Sequence, residues 1–406
     1  MLNILHINSY AKAGGAEQVA CDLLNNPWVS SSLLVKSHAS ADPRIQAIPE
    51  HFSAKVYDFL DRVVRKLGFN NQFKILFSLA EQGNFTYARL RQTQAYQQAD
   101  LVHLHNLHGN YFDWAALAQI AREKPVVWTL HDMWPMTGGE FYTYGNLNYQ
   151  QGIGKTPIQY LAPLQDPLLD RRQQHLELKK KLYRQLAHRL TFVPVSYWLE
   201  NAFKHAYVFH PSLKVRTIYN GVDTAVFYNQ EVRNWPKPRL LFFNASGESK
   251  ASYLFREILP LLPPDFELYV VGQPLEHPSV VFHTPYIQDR EALRDLYNQV
   301  DLLVFPSKAE TFGLVPLEAM ACGVCVITST ATALPEVVHQ QVGMLFESEN
   351  PTDLLDKVSA ALRNLTQSRA LGARAAVYAQ TKFALAQTHE RYFQLYQEAI
   401  QNFPGR

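Results

Sequence analysis

Two carboxylates carry the most specific chemical signal in the sequence. Glu310 and Glu318 stand eight positions apart in DLLVFPSKAETFGLVPLEAMACGVCVI, where a buried strand runs into a loop and then a short helix. Pro316 suits a first helical position, where a missing N–H costs nothing, and Gly323 suits a left-handed stop, so the spacing predicts about two turns of helix over 316–322. The open amides at its start, near Thr311 to Val315, would hold a phosphate through hydrogen bonds and the helix dipole. Glu310 before the helix and Glu318 within it would bracket a ligand roughly 10 Å long, the span of a nucleoside diphosphate sugar. One carboxylate would accept hydrogen bonds from sugar hydroxyls and the other from the ribose.

In the first half, Gly14-Gly15 follows the strand-like run NILHIN, and glycines at such a turn let the backbone approach a phosphate or an acceptor closely. His103, His105 and His108 in VHLHNLHGN invite a metal reading, since His103 and His105 share a strand face. No Asp or Glu stands there at ligand spacing, so no metal is expected; His105 and Asn106 are read instead as lining the acceptor side. Cys322 and Cys325 form a CxxC without a second ligand pair and are read as small core residues; with Cys21 they are too few for a disulfide scaffold.

Strand-like runs alternate with helical stretches in both halves and place these residues. NILHIN, SLLVK, LVHLH, VVWTL and TFVPVS fill the first half, and RLLFFN, ELYVVG, VVFHT, DLLVF and VCVITS the second. Strands apolar on both faces, separated by helices, predict parallel sheets covered by helices: an α/β chain, twice over. The Asn220-Gly221 turn signal in IYNGVDTAVFYNQEVRNWPKP marks a linker, giving domains at 1–230 and 231–380, with residues 351–402 helical and the last helix, 381–406, expected to pack back on the first domain.

The 406 residues are 47% hydrophobic and 18% charged, which is globular rather than disordered. A formal charge of +2 gives no global reason to expect nucleic-acid binding. The start MLNILHINSY lacks a basic leader and reads as a first buried strand, no window reaches a membrane span, and cytoplasm is the expected location. Residues 171–190, RRQQHLELKKKLYRQLAHRL, carry seven Lys or Arg against one Glu. This helix either rests on anionic lipid at the cytoplasmic face or packs its leucines inward with a solvated basic face.

Taken together, SKAETFGLVPLEAMACG followed by ALPEVV and GMLF resembles the donor-binding signature of family-4 retaining glycosyltransferases of the GT-B fold. GGAE, TLHDMWPMTGG, VSYWLE and IYNGVD follow the same order of segments, so the resemblance covers nearly the whole chain. It implies two Rossmann-like domains facing across a cleft, the first on the acceptor side and the second binding the nucleotide sugar. Glu310 then matches the carboxylate on the donor sugar, beside the amides of Phe312, Gly313, Leu314 and Val315, and Glu318 matches the ribose ligand. Lys250 and Ser246, in NASGESKAS, fall at the diphosphate, where the lysine charge would stabilise the leaving group. His131 matches a histidine facing the donor sugar, at a strand end where open α/β sheets bind ligands. Tyr286 and Ile287 would lie near the base, which is UDP or GDP.

Two departures stand out. Ser246-Gly247-Glu248 replaces the usual Gly-Arg, so a second phosphate cation is missing or comes from elsewhere. Relatives carry cysteines where this chain has Gly152-Ile153-Gly154 and Thr156-Pro157, leaving an aromatic loop whose Tyr142, Tyr144 and Tyr149 either stack on acceptor sugars or pack locally. The resemblance implies hexosyl transfer with retention, from a nucleoside diphosphate sugar to a glycan or lipid-linked acceptor in cell-envelope or exopolysaccharide synthesis, without metal or other cofactor. The departing phosphate oxygen would take the acceptor proton, and domain closure would exclude water. The competing readings are a nucleotide-sugar-binding homologue with an epimerase-like reaction or none, and a binding protein of the periplasmic type.

Overall fold

The computed structural model describes residues 1–11, 14–36, 40–49, 86–109, 111–152, 172–230 and 233–404. It divides into two compact units: Met1–Val195 with Leu199–Ile218 and His389–Arg406, and Ser196–Trp198 with Tyr219–Thr388.

The first unit is built on a parallel sheet of β1 (Leu2–Asn8), β2 (Val29–Val35), β3 (Ile45–Ala47), β4 (Leu101–Leu104), β5 (Val126–Leu130), β6 (Leu190–Pro194) and β7 (Lys214–Val215), in the order β3-β2-β1-β4-β5-β6-β7. The runs read as strands are β1, β2, β4, β5 and β6; all of β4, β5 and β6 is buried, as apolar strands covered on both faces must be. Strand order reverses between β1 and β4. There the Asn8 side-chain oxygen accepts from the amides of Ser9 (2.9 Å) and Asn106 (3.1 Å), tying together the loops that leave the two strands.

The second unit repeats the scheme with β8 (Arg239–Asn244), β9 (Glu267–Gly272), β10 (Val280–Thr284), β11 (Leu302–Phe305), β12 (Cys325–Ser329) and β13 (Gly343–Phe346), ordered β10-β9-β8-β11-β12-β13 and again parallel. Phe242, Phe255, Val304, Ile327 and Phe346 lie in its core. The order reverses between β8 and β11. Each unit thus has the Rossmann strand order, whose reversal point opens a crevice at the carboxyl ends of the strands.

The linker expectation needs correction. Tyr219–Val222 already packs within the second unit: the Tyr219 ring lies against Phe312 and Phe383, and Val222 bridges Ala384. Gly221 has no left-handed backbone. A Cβ there would come within 2.5 Å of the Leu385 Cα, so glycine serves close packing and not a turn. Apart from Ser196–Trp198, the chain therefore passes to the second unit at Tyr219, before residue 230, and returns at His389, after residue 381. Beyond residue 350 three helices follow, Pro351–Arg363, Leu365–Lys382 and Leu385–Gln401, the first two capped by Asn350 and Asn364.

Candidate active site

In the second unit the reversal point gathers the residues the sequence singles out. The loop after β8 carries Lys250 and the loop after β11 carries Glu310. Lys250 Nζ donates to Glu310 Oε1 at 2.5 Å, and Ser307 Oγ donates to the same oxygen at 2.9 Å. The two loops are also joined through their backbones, since the Ser249 carbonyl accepts from Lys308 N (2.8 Å) and Ser307 Oγ (2.7 Å). Thr332 clamps Glu310 from the far side, accepting from its amide at 2.9 Å and donating to its carbonyl at 2.7 Å. The Glu310 side chain is 13% exposed and Lys250 37%, leaving both reachable from solvent.

The helix that follows runs Leu314–Ala321. It begins two residues before Pro316 because the first-turn amides of any helix lack intrahelical partners, so proline is tolerated at a third position as well as a first. Gly313 precedes it with φ +106°, and no side chain caps it. Leu314, Val315 and Glu318 are partly exposed while Pro316, Leu317 and Ala319–Ala321 are buried, so Glu318 shares its open face with the helix start. Tyr297 Oη donates to Glu318 Oε2 at 3.4 Å. Gly323, at φ +80°, ends the helix in the left-handed conformation expected for it. Phe312 is buried, Ser246 is exposed, and Tyr286 is 69% exposed with Ile287 beside it, past the end of β10.

Glu248, standing in place of an arginine, forms an ion pair with Lys308, which also reaches Glu349 at 3.1 Å. Burial alone would lower the Lys308 ammonium; the two carboxylates more than offset this and raise it. A second lysine thus enters the paired loops from the β11 side. Cys322 and Cys325 are buried free thiols, each pushed up to about 12 by burial, which suits the core reading.

In the first unit, Gly14 precedes the helix Gly15–Leu24 with extended backbone and no side-chain cap, and both glycines are exposed. His131 follows β5 and is 9% exposed. Its neighbour Asp132 accepts from Trp134 N at 2.8 Å and lies 3.6 Å from His108. Burial pushes Asp132 up to about 7, against the pull of the Trp134 amide and Lys179, and lowers His108 to about 4.

His105, expected to line the acceptor side, lies inside the first unit. It is buried, with Nε2 3.1 Å from His6 Nδ1 and Nδ1 3.0 Å from His131 Nε2, so it stands behind His131. Asn106 is half-buried. His6, His103 and His105 have ring nitrogens within 4.8 Å of one another. Both nitrogens of His103 are already engaged, with Tyr396 Oη and Thr129 Oγ1 at 2.7 Å each, and no carboxylate belongs to the group. With both nitrogens of His103 and both of His105 engaged, the set forms a hydrogen-bond network. Tyr144 is 39% exposed and Tyr142 half-buried beside it; Tyr149 is buried, and its carbonyl accepts from Tyr207 N at 2.9 Å. Ile153, Gly154, Thr156 and Pro157 lie outside the described residues.

The basic helix, Arg172–Leu186, turns Leu176, Leu182, Tyr183 and Leu186 inward. Much of its charge is spent internally. Lys179 is buried and donates to the carbonyls of Trp134 (2.6 Å) and Thr137 (2.9 Å), with its ammonium 4.1 Å from the Trp134 ring. Lys180 sits over Tyr207, Arg172 pairs with Glu140, and Arg189, beyond the helix, donates to the Arg122 carbonyl. Lys181 and Arg184 face solvent. Among the described residues, no helix is long and apolar enough to cross a membrane.

Twin parallel units with the Rossmann strand order are the architecture of the GT-B fold. The sequence matches Glycosyltransferase Family 4 over residues 63–226 and Glycosyl transferases group 1 over residues 237–364, and the chain belongs to the family-4 glycosyltransferases. WcaC of Escherichia coli K12, assigned as a colanic acid biosynthesis glycosyl transferase, is 28% identical over 375 residues, which cover 87% of this chain and 89% of WcaC. The N-acetyl-alpha-D-glucosaminyl L-malate synthase of Bacillus anthracis is 25% identical over 214 residues, 47% of this chain and 56% of that one. Among solved structures, Anabaena Alr3699/HepE in complex with UDP and glucose superposes with a TM-score of 0.65 at 16% identity, covering 98% of this chain and 100% of that one.

Proposed function

We propose that this glycosyltransferase moves a hexose from a nucleoside diphosphate sugar to a glycan or lipid-linked acceptor with retention of anomeric configuration, in the synthesis of a cell-envelope or extracellular polysaccharide. The observation that carries the reading is the Lys250–Glu310 pair at the β8/β11 reversal point, next to the uncapped start of Leu314–Ala321. The lysine and the helix amides suit a diphosphate, and Glu310, relieved of Lys250, suits sugar hydroxyls. These groups stabilise charge on the leaving phosphate with preorganised donors, so the transfer proceeds without a metal ion. The phosphate oxygen takes the acceptor proton on the face from which it departs, and no enzyme nucleophile is required. The likeness to WcaC supports a polysaccharide product.

The test incubates the purified chain with UDP- and GDP-linked hexoses, with and without a chelator, and follows nucleoside diphosphate release and the anomeric proton of the product by NMR. Transfer with retained configuration, unchanged by the chelator, is expected. Inversion, a requirement for metal, or interconversion of the nucleotide sugar without transfer would each overturn a part of this reading.

A further inference from the structure

A carboxylate at position 248 works against any anion held by Lys250, two residues further on. Glu248–Lys250 is a single tight turn between Gly247 at φ +109° and Ala251 at φ +46°, so both residues belong to one sharply folded stretch after β8. The Glu248 side chain is 41% exposed and carries a full negative charge toward solvent unless a cation meets it.

That cation is Lys308, on the loop after β11. Its Nζ donates to Glu248 Oε1 and, at 3.1 Å, to Glu349 Oε1 on the loop after β13. One ammonium thus ties three loops at the carboxyl edge of the second sheet. The backbone seats it there, since Lys308 N donates to the Ser249 carbonyl at 2.8 Å, inside the Glu248–Lys250 turn. Glu349 takes a left-handed φ of +62°, strained for a residue with a Cβ, while its Oε1 accepts from Lys308 and, at 3.4 Å, from the Tyr253 hydroxyl. The Lys308 side chain is 11% exposed; the two carboxylates outweigh its burial and keep it protonated. Lys308 therefore cancels Glu248 and leaves the charge of Lys250 for a ligand.

We infer that Lys308 is a positioning residue acting through Glu248: it holds and neutralises that carboxylate, so that a glutamate two residues before Lys250 does not repel a nucleoside diphosphate. The ligand rests on the proposed function; the ion-paired lysine does not. A bridge that only braced the loops would fail equally from either end. Neutralisation is lopsided, because losing the lysine bares a charge whereas losing the glutamate removes the need for the lysine.

The test is calorimetric titration of UDP and GDP into the full chain as wild type, Lys308→Met, Glu248→Gln and the double variant, in about 0.05 M and about 0.5 M NaCl. Lys308→Met should weaken the nucleotide that the wild type binds by about tenfold in low salt and by less than about threefold in high salt. Glu248→Gln should bind at least as tightly as the wild type. The double variant, which has the net charge of the wild type, should return to within about threefold of it. Equal weakening by Glu248→Gln and Lys308→Met, or a double variant no better than Lys308→Met, overturns the inference and leaves the proposed function standing. Should Lys308→Met not fold, Glu248→Gln decides, since weaker binding by that variant overturns the inference. A wild type that binds neither nucleotide overturns the diphosphate reading and this inference with it.

Discussion

Lys250 and Glu310, 60 residues apart in sequence, meet at 2.5 Å because they leave the two strands that flank the reversal of the second sheet. Each is the other's partner in the free protein and each suits a different part of one ligand. Replacing Glu310 by Gln keeps the shape and removes the charge. Transfer should then fall by about 100-fold or more in kcat. Because the pair is partly exposed, the melting midpoint should move by no more than about 1 kcal/mol in stability. Steady-state nucleoside diphosphate release and a thermal melt measure the two.

Glu318 shares the open face of its helix with Leu314 and Val315, and its contact with Tyr297 is long, at 3.4 Å. A carboxylate that grips the ribose binds ground state and transition state alike. Glu318→Ala should therefore raise the donor KM by about tenfold and leave kcat nearly unchanged. A kcat loss with constant KM would assign Glu318 to the reacting sugar instead.

The buried imidazoles set the acid limit of the fold. His6 and His131 are held at about 3, below the usual 6.5, by burial. Between those values the unfolded chain binds protons that the folded chain refuses, so stability is lost as pH falls below about 6.5. Each such imidazole contributes about 2 kcal/mol of loss by pH 5. Asp132 works the other way. Burial raises it to about 7, so its folded form holds a proton that the unfolded form has released, and its contribution falls as pH rises from about 4 to 7. Urea melts should show a net fall in stability from pH 6.5 to 5, a fall that is smaller in His6→Phe and larger in Asp132→Asn.

Glu336 accepts from the amides of Tyr197 (2.9 Å) and Trp198 (2.6 Å) and from the Tyr219 hydroxyl (2.8 Å). It therefore caps the start of the helix Tyr197–Lys204 from a distant part of the sequence. Glu336→Ala leaves three donors without this acceptor and should cost about 2 kcal/mol in a denaturant melt, whereas Glu336→Gln, which keeps an oxygen, should cost less.

Much of this site is legible in the sequence, since a strand–loop–helix with two carboxylates fixes its own geometry locally. Gly323 ends the helix where a left-handed residue is needed, and Lys250 meets Glu310 because parallel strands bring their loops to one edge. The ten apolar runs are strands; β3, β7 and β13 carry no such run, because short edge strands such as IQA and KV bury too little to show a pattern. Partners that arise from long-range pairing leave little local trace. His6 pairs with His103 across β1 and β4, and its only local sign is a polar residue inside an apolar strand. Lys179 falls three positions from both Leu176 and Leu182 on the inward face, a sign that its ammonium must find partners inside. Glu336, within ALPEVV, carries no local sign of the amides it caps.

The proposed grip of the second unit on a diphosphate is tested most directly by calorimetric titration of UDP and GDP, and of UDP-glucose and GDP-mannose, into the wild type and Lys250→Met. One nucleotide series should bind the wild type, and Lys250→Met should weaken it by about tenfold or more at unchanged melting temperature. Absence of binding by either series, or equal affinity for both proteins, would contradict the assignment.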